Sequence, residues 1–151
     1  MMNTFLHLTS RAAQLGALRH WREQLAPGGL LVIDVFNPDP AQLASLDGRL
    51  EWENRWTDPQ TGNTVMKFLT RTVDLANQTI HVNLIYDEIA GDGRVCRTLV
   101  PFDTRYVWRS EAELLLDKAG YALEAIYGDR SLGPFENDSD TMIVVARRRG
   151  K

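Results

Sequence analysis

A few side chains in this sequence are of the types that do chemistry. His7 carries an imidazole, which titrates near neutrality and can act as a general base or hold a substrate. It can equally be a polar residue at a helix entry. Asp34 stands inside the otherwise apolar run Leu30-Leu31-Val32-Ile33-Asp34-Val35-Phe36. A buried carboxylate needs hydrogen bonds or a cation, so Asp34 either orients a loop or lines a pocket. Arg105 can grip a carboxylate by a two-pronged contact, or form a structural ion pair with a nearby acid. Trp52, Trp56, Phe68 and Tyr86 can wall an apolar substrate or fill a core. His20 and His81 share no ligand spacing with a second residue, so no metal site is read. Cys96, the only cysteine, excludes an internal disulfide and reads as a small buried or half-buried strand residue in a reducing compartment.

These residues need elements to position them. Thr9 or Ser10 can cap a helix whose buried stripe is Leu15, Leu18, Trp21 and Leu25. Pro27-Gly28-Gly29 stops it. The strand that follows is apolar at nearly every position, which predicts a parallel strand covered on both faces. Asn37-Pro38-Asp39-Pro40 ends it. Helix, tight turn, buried strand and loop is the rhythm of a doubly wound sheet, in which ligands bind at the carboxyl ends of strands. Phe36 and Asn37 fall there. Residues 50–108 change character and predict an antiparallel meander inserted into the α/β unit, with Leu50, Trp52 and Trp56 on one side of its first strand. Ser110-Glu111-Ala112-Glu113 reads as a capping box, and Gly120 as the stop of the helix it opens. Strands over 121–127 and 141–146 close the chain. The fold class is α/β: one domain over 1–151, a partial doubly wound, Rossmann-like sheet with an antiparallel insertion.

Composition excludes several functions. With 151 residues, 44% hydrophobic and 25% charged, the chain suits one soluble domain. A net charge of -3 gives no bulk attraction for nucleic acid. No signal peptide and no apolar run of membrane-spanning length is visible, so a cytoplasmic location is expected. Arg147-Arg148-Arg149 and Lys151 read as a solvated tail.

Four segments together resemble the C-terminal portion of class I S-adenosylmethionine-dependent methyltransferases. Asn3-Thr4-Phe5-Leu6-His7-Leu8 is similar to the segment after that family's fourth strand. Leu25-Ala26-Pro27-Gly28-Gly29-Leu30-Leu31-Val32-Ile33-Asp34 is similar to its passage from helix to fifth strand, and Phe36-Asn37-Pro38 to the exit from that strand. Residues 110–121 with Tyr127-Gly128-Asp129 are similar to its last helix and sixth strand. The resemblance implies S-adenosylmethionine as cofactor, with Asn3 and Phe5 beside it and His7 as the catalytic residue. It implies a small-molecule acceptor held among Asp34, Phe36, Asn37, Arg105 and Tyr106.

The family's first strand, glycine-rich loop and ribose-binding acid have no counterpart here. Gly91 and Gly93 form a G-x-G, but in a hairpin turn. The expectation is therefore an N-terminally truncated domain that binds the cofactor weakly or not at all. Activity would need a complementing chain or a longer reading frame. A non-catalytic interaction module is the alternative, dimerising through the meander or through an open sheet edge. A small-ligand binding module built on the aromatic meander is another. An apolar strand with an open edge also predicts self-association.

Overall fold

The computed structural model describes residues 3–150, and the chain divides into two units, residues 1–39 with 105–151 and residues 40–104. Met1, Met2 and Lys151 lie outside the described residues. No helix among the described residues is long and apolar enough to cross a membrane, which says nothing of membrane-spanning strands.

The first unit opens with a short 3-10 helix, Thr4–His7, followed by α1, Arg11–Gln24. Ser10 caps α1 as expected, its hydroxyl accepting from the amide of Ala13 at 3.1 Å. Gly28, at φ 75°, makes the left-handed turn into β1, Leu30–Phe36.

After the second unit, the chain returns through three further elements. The first is a helix over Arg109–Ala119, the next a strand over Tyr121–Tyr127, and the last a strand over Thr141–Arg148. With the second unit's elements counted in chain order, these are α3, β6 and β7. The sheet order is β1-β7-β6. Side chains of α1 and α3 pack with the inward faces of the strands in one core containing Leu18, Val35, Leu116, Tyr121, Met142 and Val144. Tyr121 is fully buried, and its hydroxyl donates to the carbonyl of Leu18 at 3.0 Å. Burial raises its pKa above the ordinary tyrosine value.

Three expectations need correction in this unit. First, β1 is not a parallel strand covered on both faces. It pairs antiparallel with β7, Leu30 opposite Arg147 and Phe36 opposite Thr141. Leu30 and Val32 are 46% and 58% exposed. The helices cover only the face of Val35, so an unbroken apolar run here marks a strand with one bare face. This is half of a doubly wound arrangement.

Second, no capping box opens α3. Its N-cap is Trp108, without a side-chain bond. Both carboxylates are engaged elsewhere: Glu113 receives Arg109 at 2.9 Å, and Glu111 receives Arg105 at 2.7 Å. Gly120 does end the helix, at φ 85°.

Third, the basic tail is tied down as well as solvated, with Arg147 and Arg149 exposed. Arg147 pairs with Glu124, Arg148 donates to the carbonyl of Leu25, and Arg149 meets Asp117 at 2.7 Å.

Arg105 sits inside this unit, 4% exposed. One guanidinium nitrogen donates to Gln14 Oε1 at 2.8 Å, another to Glu111 Oε1 at 2.7 Å. Gln14, itself 0% exposed, returns its amide to the Arg105 carbonyl at 3.3 Å. A buried guanidinium and a buried amide thus satisfy one another across α1 and the start of α3.

The second unit contains a short helix α2, Pro40–Ala44, and the strands β2, Glu51–Thr57, β3, Thr64–Asp74, β4, Thr79–Ile89, and β5, Val95–Arg105, the last residue of which belongs to the first unit. They form the antiparallel meander read from the sequence, in the order β2-β3-β4-β5, but Cys96 on β5 is exposed rather than buried or half-buried, because both faces of the outer part of that strand are open. Gly93, at φ 85°, makes the turn between β4 and β5.

Trp52 and Trp56 are not on one side of β2. Trp52 lies opposite Phe68 and Trp56 opposite Val65, with a bulge between Trp52 and Asn54. The extra residue reverses the alternation, so the two indoles face opposite ways. Trp56 instead meets Tyr86 edge-on, ring centroids 6.3 Å apart.

Asp87 and Arg97 join β4 to β5 by two bonds of 2.6 Å. The hydrogen bond from Arg97 holds the Asp87 carboxyl below its ordinary pKa. A carboxyl depressed on folding stabilises above the unfolded value of about 3.9, and that contribution disappears as pH falls through the native value. Asp87→Asn should therefore lower stability at neutral pH and flatten its loss below about pH 4, read from urea unfolding at several pH values. Arg105→Met should cost about 3 kcal/mol in the same measurement, because Glu111 loses its cation and Gln14 an acceptor's partner. Arg105→Lys should recover only part of it.

Candidate functional site

The carboxyl end of β1 gathers polar side chains from three segments. Asn3 holds the entry to the 3-10 helix. Its backbone amide donates to the Asp34 carbonyl at 3.0 Å, and its side-chain Oδ1 accepts from the Phe36 amide at 2.8 Å. One residue thereby bonds to both neighbours of Val35 along the edge. That is a rung of a parallel ladder, with a side-chain oxygen standing in for a carbonyl. Asn3 takes this position in a left-handed conformation, φ 59°, which asparagine tolerates better than most residues.

Asp34 directs its carboxylate to Arg130, with N···O distances of 3.2 and 3.3 Å. The aspartate side chain is 20% exposed and the arginine 60%. Asn37 ties the same end of β1 to the loop before β7. Its amide nitrogen donates to the Ser139 carbonyl at 3.0 Å, and its backbone amide to the Asp140 carbonyl at 3.0 Å.

That loop folds tightly on itself. Asp129 Oδ1 accepts from the amides of Ser131 and Gly133 at 2.7 and 3.1 Å, and Thr141 donates to the Gly128 carbonyl at 2.8 Å. Gly128 must be glycine, since a Cβ there would lie 2.6 Å from the Pro134 carbonyl oxygen. An open cleft of about 640 Å³ runs along the loop, lined in part by Asp129, Arg130, Glu136 and Ser139. By contrast, the gap inside the core beside Phe5, Leu18 and Met142 is about 10 Å³, no more than a water needs.

The residues read from the sequence separate into two groups. Asn3, Asp34, Phe36 and Asn37 meet at this end of the sheet. His7 ends the 3-10 helix with its side chain exposed. Phe5, Arg105 and Tyr106 are core residues, 8%, 4% and 1% exposed. Phe5 packs against Trp21, centroids 6.0 Å apart, and Tyr106 stands edge-on to Trp108 at 5.7 Å. Of the two roles weighed for Arg105, its side chain occupies the ion pair.

Sequence reading missed Arg130. The signal was available: a carboxylate in an apolar strand calls for a cation, and Arg130 follows the strand that ends beside it. No group of His, Cys, Asp and Glu that could hold a metal occurs among the described residues.

The two side chains read as lying beside S-adenosylmethionine are taken up within the protein. Phe5 is closed into the core, and Asn3 Oδ1 is engaged by Phe36. The left-handed glycines, such as Gly28 and Gly93, occupy turns rather than a loop between a strand and a following helix.

No family model matches the sequence, and no curated protein sequence matches it. Solved structures do match. The CcbJ methyltransferase from Streptomyces caelestis aligns with a TM-score of 0.77 at 24% identity, covering 98% of this chain and 58% of that one. The sugar N-methyltransferase KedS8 from a Streptoalloteichus species aligns at 0.72 with 19% identity, covering 99% and 54%. CalS10, an amino pentose methyltransferase from Micromonospora echinaspora solved with S-adenosylmethionine bound, aligns at 0.71 with 18% identity, covering 98% and 56%. This chain spans a little over half the length of the structures it matches. Over that span, it has the fold of S-adenosylmethionine-dependent methyltransferases.

Proposed function

We propose that this chain is the acceptor-side portion of an S-adenosylmethionine-dependent methyltransferase acting on a small molecule of the amino-sugar class. The cofactor-binding portion would come from polypeptide outside these residues, either in the same reading frame or as a complementing chain. The fold match over 98% of the chain, to structures of a sugar N-methyltransferase and an amino pentose methyltransferase among others, carries the reading. The geometry at Asn3 supports it, because a rung of parallel type on the outer edge of β1 is where an adjoining strand would be received.

The cofactor, once bound, supplies an activated methyl group, so the protein's task is alignment and exclusion of water. In this reading, the exposed imidazole of His7 takes the proton from the acceptor amine. Asp34 and Arg130 offer an acceptor and donors for substrate hydroxyls, with Phe36 beneath. Asn37 fixes the 128–141 loop that walls the cleft.

Calorimetry on the purified chain should show no saturable S-adenosylmethionine binding up to roughly 0.1 mM. One-to-one binding at low micromolar affinity would overturn the need for a second portion. With that portion supplied, methyl transfer to an amino sugar should appear, and His7→Ala should lower kcat by about 10²-fold or more. The acceptor KM should change little. A complemented protein that binds cofactor yet methylates no amine would overturn the acceptor class.

A further inference from the structure

The end of the first unit away from the candidate site carries a surplus of positive charge. There α1 and α3 finish, β6 begins and β7 ends. An open cleft of about 360 Å³ lies between the two helix ends, lined by Arg19, Arg22, Glu23, Lys118, Ala119 and Gly120. β7, of eight residues at about 3.4 Å each, runs from the candidate site to this end, a separation of roughly 25 Å.

The fold holds Arg22 in place. Its Nε donates to the Gly120 carbonyl at 3.2 Å, and one terminal nitrogen donates to the Arg149 carbonyl at 3.4 Å. Gly120 permits this approach, since a Cβ there would lie 2.7 Å from Arg22 Nε. Two carbonyls thus fix one edge of the guanidinium, and its other terminal nitrogen has no protein acceptor among the described residues. Arg19 and Lys118 are exposed, and neither meets a carboxylate among the described residues. Arg148 donates to the Leu25 carbonyl, and its buried Nε has no acceptor there. Both Arg22 and Arg148 lie close enough to Tyr121 to oppose the burial that raises its pKa.

Local charge does not cancel. Arg19, Arg22, Lys118, Arg148 and Arg149 bring five positive charges to this end, against two negative ones from Glu23 and Asp117, the latter paired with Arg149. The carbonyl ends of α1 and α3 add about half a negative charge each. A surplus of about two positive charges remains, on a chain whose net charge is -3. A phosphate monoester at neutral pH carries roughly two negative charges and three strong acceptor oxygens, which suits a guanidinium with flanking cations. A single carboxylate would leave about half of the surplus unmet. The lining holds no large apolar side chain to enter a lipid surface or to stack on a base.

We propose that this cleft binds the phosphate group of a small soluble molecule, with Arg22 as the fixed cation and Arg19 and Lys118 closing on the group from α1 and α3. The proposal does not rest on methyl transfer.

Heteronuclear NMR titration of the complete chain with inorganic phosphate tests it, with chloride at matched ionic strength as the comparison. Saturable shifts should centre on the amides of Arg22, Ala119 and Gly120, with a dissociation constant below roughly 5 mM that rises with added salt. Arg19→Gln combined with Lys118→Gln, both at exposed positions, should raise that constant at least tenfold while leaving circular dichroism unchanged. Arg11→Gln, an exposed arginine at the opposite end of α1, should leave it unchanged. Vesicles containing phosphatidic acid should sediment no more of the chain than vesicles of phosphatidylcholine alone. Shifts that fail to saturate, or that centre on Asp34 and Arg130, would overturn the proposal. So would an equal loss in Arg11→Gln, or binding to the acidic vesicles without binding to free phosphate.

Discussion

The first unit depends on how Asn3 is held to the outer edge of β1. In β1 the backbone groups of even-numbered residues point away from β7, as the bonds of Asp34 and Phe36 to Asn3 require. Asn3 satisfies one carbonyl and one amide at the carboxyl end of that edge. It thereby fixes where the 3-10 helix starts, and so where Phe5 and Leu6 enter the core and where His7 emerges. At the amino end of the same edge, Leu30 and Val32 are exposed, and β1 is an edge strand of its sheet among the described residues. The site therefore sits at the finished end of a strand whose edge is otherwise open.

The two polar networks of the first unit divide the labour. Gln14, Arg105 and Glu111 form a buried set that joins α1 to the entry of α3. Leaving any member unpaired is costly, which suits a structural role. Asp34, Arg130 and Asn37 are half-buried or exposed and bridge loops rather than helices. Groups placed so can exchange a protein partner for a ligand at little cost to stability.

The sequence made the element order legible because its punctuation is strong. Ser10, Gly28, Gly93 and Gly120 act as read, and alternation in 79–89 gives β4. Direction of pairing was not legible. The run Leu30–Phe36 is apolar throughout whether its neighbour runs parallel or antiparallel, and β7, which settles the matter, lies about a hundred residues away. The bulge after Trp52 left no mark in the residue types, so the two indoles looked alike. Glu113 was misread for a similar reason: a capping box and an i,i+4 ion pair with Arg109 compete for one carboxylate, and spacing does not say which wins. At the site, Asp34 announced a need for a partner, but only the fold brings Arg130, 96 residues later, to supply it.

Among the described residues, β1 is an edge strand whose outer side is bonded at its carboxyl end by Asn3. Residue-resolved amide hydrogen exchange on the isolated chain tests this most directly. The amides of Ile33 and Val35, which face β7, and of Phe36, which donates to Asn3, should be protected, whereas those of Val32 and Asp34 should exchange rapidly. Protection of Val32 equal to that of Ile33 would mean that the outer edge is already covered, and would contradict the claim.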